Sequence, residues 1–256
     1  MAENSVSEGN IPTNLRLLLV LEAMAEAGVP VTPTEVNQDL GLPKPTIHRL
    51  FATLEAEGFI QREIDGRGYS PGRRLRTMST SILSSLRIRT ARTAILTQLT
   101  ERIGETCNIA LPDRDEMVYL DRVETKWPLR IQLPIGSRVP FYSTASGKLY
   151  LSTLANKHLK SYARTTDFVA NTPSTITSAA VLIEEIERVR EQGFSTDNQE
   201  FMDGMIAVAV PIREKSGRLV STLSVHAPIQ RLPLVDAVKH VDVLNEAATE
   251  LSSLIS

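Results

Sequence analysis

One helix near the N-terminus carries side chains of the kinds that contact DNA. Between Lys44 and Glu57, apolar residues recur at the i, i+3, i+4 and i+7 positions, which predicts a helix with one buried stripe. Arginine on the outer face of such a helix can donate to O6 and N7 of guanine, and threonine can bind a phosphate. The residues that we expect to contact DNA here are Lys44, Pro45, Thr46, His48, Arg49 and Thr53. A solvated face of any small helical bundle is the alternative explanation of this pattern.

The neighbouring segments predict how that helix is positioned. A first helix over Asn14 to Ala27 ends at Gly28, and Thr32-Pro33-Thr34-Glu35 has the pattern of a capping box that begins a second, short helix. Gly41-Leu42-Pro43 predicts a tight turn before the third helix. After it, strands over residues 59–64 and 69–70 flank a hairpin tip, Asp65 to Gly68, that presents Arg67 to DNA. Three helices followed by a hairpin predict a winged helix–turn–helix.

Charge is distributed unevenly along the chain. The 256 residues carry a net charge of −2, yet Lys44 to Arg92 contains ten basic and four acidic residues, a local charge of +6. No acidic residue lies between Gly66 and Thr100, which includes seven arginines. Such asymmetry is typical of a basic nucleic-acid-binding module joined to a neutral or acidic body.

The remainder of the chain predicts a linker and an α+β domain. Residues 1–12 are expected to be a disordered tail, 13–72 the DNA-binding domain, 73–92 a linker helix and 93–256 the second domain. Predicted strands of that domain are 107–111, 117–123, 129–133, 194–197, 205–212 and 219–226, and predicted helices are 147–155, 177–191 and 234–253.

Composition excludes several other classes of protein. No run approaches the roughly 18 apolar residues of a membrane span, and the polar, acidic start, Met1 to Asn10, differs from a signal peptide. The single cysteine, Cys107, cannot form an intrachain disulfide, and the four histidines have no metal-ligand spacing. We therefore expect a cytoplasmic protein with no membrane segment, no cofactor and no metal site. Cys107 is either a buried structural thiol or a redox sensor.

The sequence resembles the IclR family of bacterial transcription regulators along nearly its whole length. Residues 41–50, GLPKPTIHRL, are close to the family's GLPKSTVHRLL, and ETCNIA at 105–110 is similar to its ETVNLA. Further matching segments are 54–60, 69–72, 119–123, 136–140, 144–148 and 204–211. The resemblance implies a winged helix–turn–helix, a linker helix and a GAF-like mixed α/β effector-binding domain. It also implies homodimers that pair into tetramers.

The resemblance further implies an effector site. Carried over by position, Ala145, Ser146, Asp197 and the strand centred on Ala207 would line it. The chain departs from the family pattern at Ala207, where cysteine or serine is common, and at Tyr142 and Tyr150. Tyr119 and Tyr142 would wall an aromatic pocket together with Trp127, or else belong to an ordinary core. Backbone amides at the start of the helix after Ser146 suit an anion.

Three functions follow as hypotheses. The first is a ligand-responsive regulator, with a repressor preferred, that binds a pseudo-palindromic double-stranded operator and senses a small organic acid, lactone or semialdehyde, or aromatic carboxylate. The second is an enzyme, since Ser143, Ser146, Asp197 and His226 are available, although no G-x-S-x-G elbow is present and Ser146-Gly147-Lys148 lacks the P-loop pattern. The third is an architectural DNA-binding protein without a ligand.

Overall fold

The computed structural model describes residues 11–63, 66, 68–83 and 86–255. Most of the predicted N-terminal tail therefore lies outside the described residues, as do Ile64, Asp65 and Arg67 at the predicted hairpin tip. The chain divides between residues 85 and 86 into two compact units.

The first unit contains three helices, a hairpin and a further helix. Its core joins one face of each of the first three helices to the hairpin, through residues such as Val20, Val36, Phe51 and Ile60. The strands pair antiparallel, and Val31 forms an isolated bridge to Tyr69. In chain order the elements are α1 (Arg16–Ala27), α2 (Pro33–Leu40), α3 (Lys44–Ala56), β1 (Ile60–Arg62), β2 (Tyr69–Pro71) and α4 (Arg73–Leu83).

Local hydrogen bonds fix the turn between α2 and α3. The predicted capping box is present: Thr32 Oγ1 accepts from the Glu35 amide, and the Glu35 carboxylate accepts from the Thr32 amide. Gly41 ends α2 at a φ of 60°, a left-handed conformation that favours glycine. The Asn37 side chain then spans the turn, donating to the Leu42 carbonyl at 2.8 Å and accepting from the Leu42 amide at 2.9 Å. These contacts hold the start of α3 in place.

The second unit is built on one antiparallel sheet with the strand order β5-β4-β3-β8-β7-β6. Its strands are β3 (Thr106–Asp113), β4 (Glu116–Val123), β5 (Arg138–Pro140), β6 (Ser195–Asn198), β7 (Met205–Arg213) and β8 (Leu219–Pro228). Its helices are α5 (Leu86–Ile103), α6 (Ala145–Ser152), α7 (Asn156–Thr165), α8 (Ala179–Gln192), α9 (Leu234–Ala237) and α10 (Val241–Ser253). A helical unit with a β-hairpin, followed by a unit in which helices cover an antiparallel sheet, confirms the predicted α+β fold class.

Both faces of this sheet are covered by helices. Helices α5 and α10 pack on one face, whereas α6 packs on the other and is itself backed by α8. Gly147 permits the close approach of α6 to the preceding loop, because a Cβ atom there would lie 2.3 Å from Phe141 Cα. Side chains of alternate residues on the central strands therefore enter two different buried environments.

Three sequence-based predictions for this unit need correction. Residues 129–133 do not form a strand; the third strand is β5, and Pro128 and Pro134 flank a loop whose Ile131 carbonyl accepts from Arg122. The predicted helix 234–253 is divided into α9, a 3-10 turn over Val238–His240 and α10. Helix α7 was not predicted, although its buried Leu159 and Ala163 have helical spacing.

Candidate functional site

Helix α3 presents its predicted DNA-contacting face to solvent. Its apolar stripe, Ile47, Phe51 and Leu54, is buried. Lys44, Pro45, His48, Arg49 and Thr53 are exposed, and Thr46 is half-buried. Within the described part of the chain, Arg49 forms no salt bridge, so its guanidinium is free to bind an external acceptor.

The base of the hairpin is held by a polar cluster rather than by apolar packing alone. Arg62 forms a salt bridge with Glu55 on α3 at 3.2 Å, and its guanidinium also lies over and donates to Tyr69. This partly exposed cluster adds polar contacts between the hairpin and α3 to the apolar contacts of their shared core. Arg67, the predicted DNA contact at the tip, lies outside the described residues.

In the second unit, polar side chains from four strands share the sheet face beneath α6. Asp197 on β6 is paired with Ala207 on β7, which is paired with His226 on β8. Ser224 lies two residues before His226 on the same face of β8. It is paired with Asn108 on β3, which is paired with Arg122 on β4. Paired residues project to the same face, and Ala207 packs against Ala145 and Leu149 of α6. We call Arg122, Asn108, Ser224, His226 and Asp197 the polar row.

Asp197, at the β6 end of the polar row, belongs to a buried cluster of charges. Its Oδ1 accepts from the Glu200 amide at 2.7 Å, and Lys148 Nζ bridges Glu200 at 2.5 Å and Glu185 at 2.9 Å. Burial and the neighbouring Glu200 carboxylate raise the pKa of Asp197 to about 7. Asp197 can therefore either donate or accept a hydrogen bond near neutral pH.

A chain of hydrogen bonds orients the middle of the polar row. The Ser224 hydroxyl donates to Asn108 Oδ1, and Ser224 Oγ lies 3.1 Å from His226 Nε2. Burial lowers the pKa of His226 to about 3, with Arg122 contributing, so the imidazole is neutral. The Ser224 hydroxyl proton is already donated to Asn108, so Ser224 Oγ can only accept from His226. The neutral imidazole therefore carries its proton on Nε2 and donates it to Ser224 Oγ. The Asn108 amide is thereby fixed, and its Nδ2 group, which lies beside Tyr119, has no hydrogen-bond partner among the described residues.

The other predicted effector residues lie beside the polar row. Tyr119 packs edge-on against His226 with ring centroids 6.2 Å apart; burial raises its pKa to about 12, while Arg122 and Asn108 oppose that rise. Ala145 and Ser146 form the buried first turn of α6, whose cap Thr144 accepts from the Gly147 amide. Tyr142 lies in the adjoining apolar cluster, where its hydroxyl bonds to the backbone of Val169. Trp127 is exposed.

Sequence reasoning did not assign Asn108, Arg122, Ser224 and His226 to the site. A polar residue within an apolar strand, such as Asn108 between Cys107 and Ile109, is the one local signal that could have found them. Asn108 and Arg122 lie on strands that are neighbours in the chain, whereas their convergence with Ser224 and His226 depends on pairing between β3 and β8, which are more than 100 residues apart.

The opposite sheet face is anchored through the residue next to Arg122. Asp121, which is buried, accepts from Arg92 Nε of α5 at 2.5 Å, and Arg89 Nε lies 3.4 Å from its second oxygen. Arg92 is also buried, and its two terminal nitrogens have no hydrogen-bond partner among the described residues. Strand β4 therefore directs Asp121 toward α5 and Arg122 toward the sheet face that carries the polar row.

The remaining sequence candidates have simpler environments. Burial raises the pKa of the Cys107 thiol to about 12, which disfavours a reactive thiolate and favours the structural interpretation. Within the described part of the chain, no group of three or more His, Cys, Asp or Glu residues is placed to hold a metal ion. None of the described helices has the length and apolar character of a membrane span.

Comparison with known proteins supports this organisation. Residues 15–63 match the IclR helix-turn-helix domain, and residues 80–253 match the family described as bacterial transcriptional regulator IclR C-terminal. The chain is 37% identical over 237 residues to "Probable transcriptional regulator SauR" of Cupriavidus necator, covering 93% of this chain and 94% of that protein. It is 29% identical over 226 residues to the transcriptional repressor IclR of Escherichia coli, covering 88% and 82% of the two chains. The crystal structure of Thermotoga maritima IclR is 30% identical, with a TM-score of 0.62 over 94% of this chain and 97% of that chain.

The N-terminal helix–turn–helix, the α+β second unit and these relatives define a DNA-binding transcription regulator rather than an enzyme. The chain belongs to the IclR family.

Titration of Asp197 gives a testable consequence for stability. Because its pKa is raised in the folded protein, its favourable contribution is complete below about pH 4 and is lost as pH rises through about 7. Relative to Asp197→Asn, the wild type should lose up to about 1.4 kcal/mol of unfolding free energy per pH unit in that window. Urea denaturation at several pH values measures this difference, and the exposed Asp167→Asn variant controls for net charge. A difference that is constant with pH would contradict the assignment.

Proposed function

We propose that this regulator is a ligand-responsive repressor of a small-molecule catabolic pathway. Its effector would be a small organic acid, lactone or semialdehyde, or an aromatic carboxylate. The observation that carries the ligand-responsive part of the proposal is the polar row, which places beneath α6 buried hydrogen-bonding groups that have no partner in the described part of the chain. Leaving such groups unsatisfied costs about 1–3 kcal/mol each, so a sheet built only for stability would favour apolar residues there.

In the DNA-bound state, α3 would enter the major groove. Arg49 would read a guanine, while Thr46, Thr53 and the cationic first turn would contact neighbouring bases and phosphates. Arg67 would extend from the hairpin toward the adjoining backbone. A homodimer would place two α3 helices about 34 Å apart or a multiple of that, so the operator would be pseudo-palindromic. Pairing of dimers into a tetramer would allow two such operators to be bound.

The reading role of Arg49 can be measured directly. Arg49→Ala should weaken binding to an operator duplex by about 1–3 kcal/mol and should relax discrimination at the base pair that it reads. Arg102→Ala is the matched control, since Arg102 is an exposed arginine paired with Glu246 in the second unit. Fluorescence anisotropy with operator and scrambled duplexes gives both affinities. Unchanged operator affinity in Arg49→Ala would remove Arg49 from the reading role.

The effector would lie between α6 and the polar row. The first amides of α6 have no intrahelical acceptor and would bind oxygen atoms of the effector. Asp197 would bond to a hydroxyl or carbonyl group, and Ala207 leaves space beside it because its side chain is small. Tyr119 would provide an apolar wall.

Strand β4 would connect effector binding to DNA binding. An effector contact on the Arg122 side would displace β4, and the ion pairs of Asp121 with Arg89 and Arg92 would pass that displacement to α5. Helix α5 begins at Leu86, close in sequence to the end of α4 at Leu83, so its movement would bias the arrangement of the DNA-binding units. The predicted linker, residues 73–92, includes α4 and the first turns of α5.

Arg89 tests this connection without removing a buried charge. Arg89 is half-exposed and contacts Asp121, whereas removing Arg92 or Asp121 alone would strand a buried partner and destabilise the unit by about 3–5 kcal/mol. In Arg89→Gln, effector binding and effector-free operator binding should persist while the effector-induced change in operator affinity falls several-fold. Arg102→Gln, on the same helix, should behave as wild type. Equal effector responses in all three proteins would exclude the Arg89–Asp121 ion pair from the connection.

A further inference from the structure

Two buried donor groups on adjoining strands face the same side of the sheet without an acceptor. Asn108 on β3 is fully buried, and the side chain of its cross-strand partner Arg122 on β4 is only 4% exposed. Asn108 Nδ2 and Arg122 Nη1 have no hydrogen-bond partner among the described residues. The hydroxyl of Ser143, in the loop before α6, is likewise buried and without a partner in that part of the chain.

Hydrogen bonds within the protein occupy the other polar atoms of these two side chains, and Asn108 also lies beside Tyr119. Ser224 Oγ, which lies 3.1 Å from Nε2 of the neutral His226, donates to Asn108 Oδ1, so the amide can present only its NH₂ group. Arg122 donates from Nε to Glu124 at 3.2 Å and from Nη2 to the Ile131 carbonyl. Its remaining nitrogen, Nη1, is therefore the one that has no acceptor.

The charge of Arg122 is only partly compensated. Glu124, its single carboxylate partner among the residues that the structure describes, is 37% exposed and is shared with Arg130 at 2.5 Å. Exposure to water weakens that ion pair, whereas the Asn108 side of the guanidinium is dry. The β4 end of the polar row is consequently a desolvated, electropositive group of donors, and the Asp197 end holds a carboxyl group.

We propose that Asn108 Nδ2 and Arg122 Nη1 form an oxyanion subsite that binds the carboxylate of the effector. The inference rests on the proposed function, because it assumes that the polar row receives the effector. Donors without acceptors, beside a buried cation, select a ligand group that only accepts hydrogen bonds and is negatively charged. A neutral lactone or semialdehyde leaves Arg122 with only its partly exposed partner Glu124, so the effector is a small carboxylic acid. Its other polar group extends along the row toward Asp197.

Matched pairs of acids and amides test the subsite. The probes are glycolate, pyruvate, benzoate and 4-hydroxybenzoate, each compared with its neutral amide by thermal shift and then by calorimetry. At least one acid should bind the full-length wild type while its amide binds at least tenfold more weakly. Arg122→Gln should weaken that acid about 10- to 100-fold, as expected for loss of a hydrogen bond to a charged group. Arg122→Lys should recover part of the loss.

Two further variants make the test decisive. Arg138→Gln is the control, since Arg138 is a sheet arginine paired with Asp113 and Glu116, and it should bind the acid as wild type does. If Arg122→Gln does not fold, Asn108→Asp keeps the side-chain shape and the Ser224 contact but adds a negative charge, and it should abolish acid binding.

Three results would overturn the subsite: equal binding of an acid and its amide, full acid affinity in Arg122→Gln or Asn108→Asp, or no binding by any acid of the series. Different results distinguish failure of the subsite from failure of the proposed function. Release of operator DNA by a neutral lactone would exclude the carboxylate subsite but leave the ligand-responsive regulator supported. Absence of operator binding by the untreated wild type would contradict the proposed regulator function itself.

Discussion

The second unit depends on the burial of strand β4 on both of its faces. Side chains of consecutive residues on a strand project in opposite directions, so Asp121 and Arg122 bring opposite charges into two separate interiors. A buried charge requires compensation, and the solutions differ on the two faces. Asp121 is held by two arginines of α5, whereas Arg122 has a half-exposed partner, a loop carbonyl and one nitrogen with no acceptor among the described residues. The charge of Asp121 is thus compensated by two cations of the protein, whereas Arg122 keeps the capacity to bind a further acceptor.

The polar row also differs from the apolar core that surrounds it. Around it, cross-strand neighbours such as Val208 and Val225 contribute apolar burial on the α5 and α10 face. Within it, a neutral histidine, an oriented amide and a carboxyl group with a pKa near 7 lie on two neighbouring registers of strand pairs. Burial keeps the histidine neutral and Ser224 orients the amide, whereas Asp197 can donate or accept a hydrogen bond near neutral pH.

Features that arise from residues close together in the chain could be predicted from the sequence, whereas features that arise from pairing between distant residues could not. The helix–turn–helix was predicted because its signals are local: the Thr32 to Glu35 capping box, the Gly41 turn and the apolar stripe of α3 all lie within a few residues. The family resemblance also pointed to Asp197 and Ala207, which the structure places side by side on paired strands. Asn108 and Arg122 were missed because neither has a motif and their proximity arises only from strand pairing. The strand predicted at 129–133 was wrong for a related reason. The Arg122 side chain donates to the Ile131 carbonyl, which in a strand would accept from a backbone amide.

The most direct measurement of the central claim is the affinity of the full-length protein for its operator as a function of effector acid concentration. The account predicts that saturating acid changes the operator dissociation constant by about 5- to 150-fold, the usual range for coupling between two sites, and that operator DNA changes the acid affinity by the same factor. Fluorescence anisotropy and calorimetry on the same preparation measure the two factors independently. An acid that binds the protein tightly but leaves operator affinity unchanged would contradict the account.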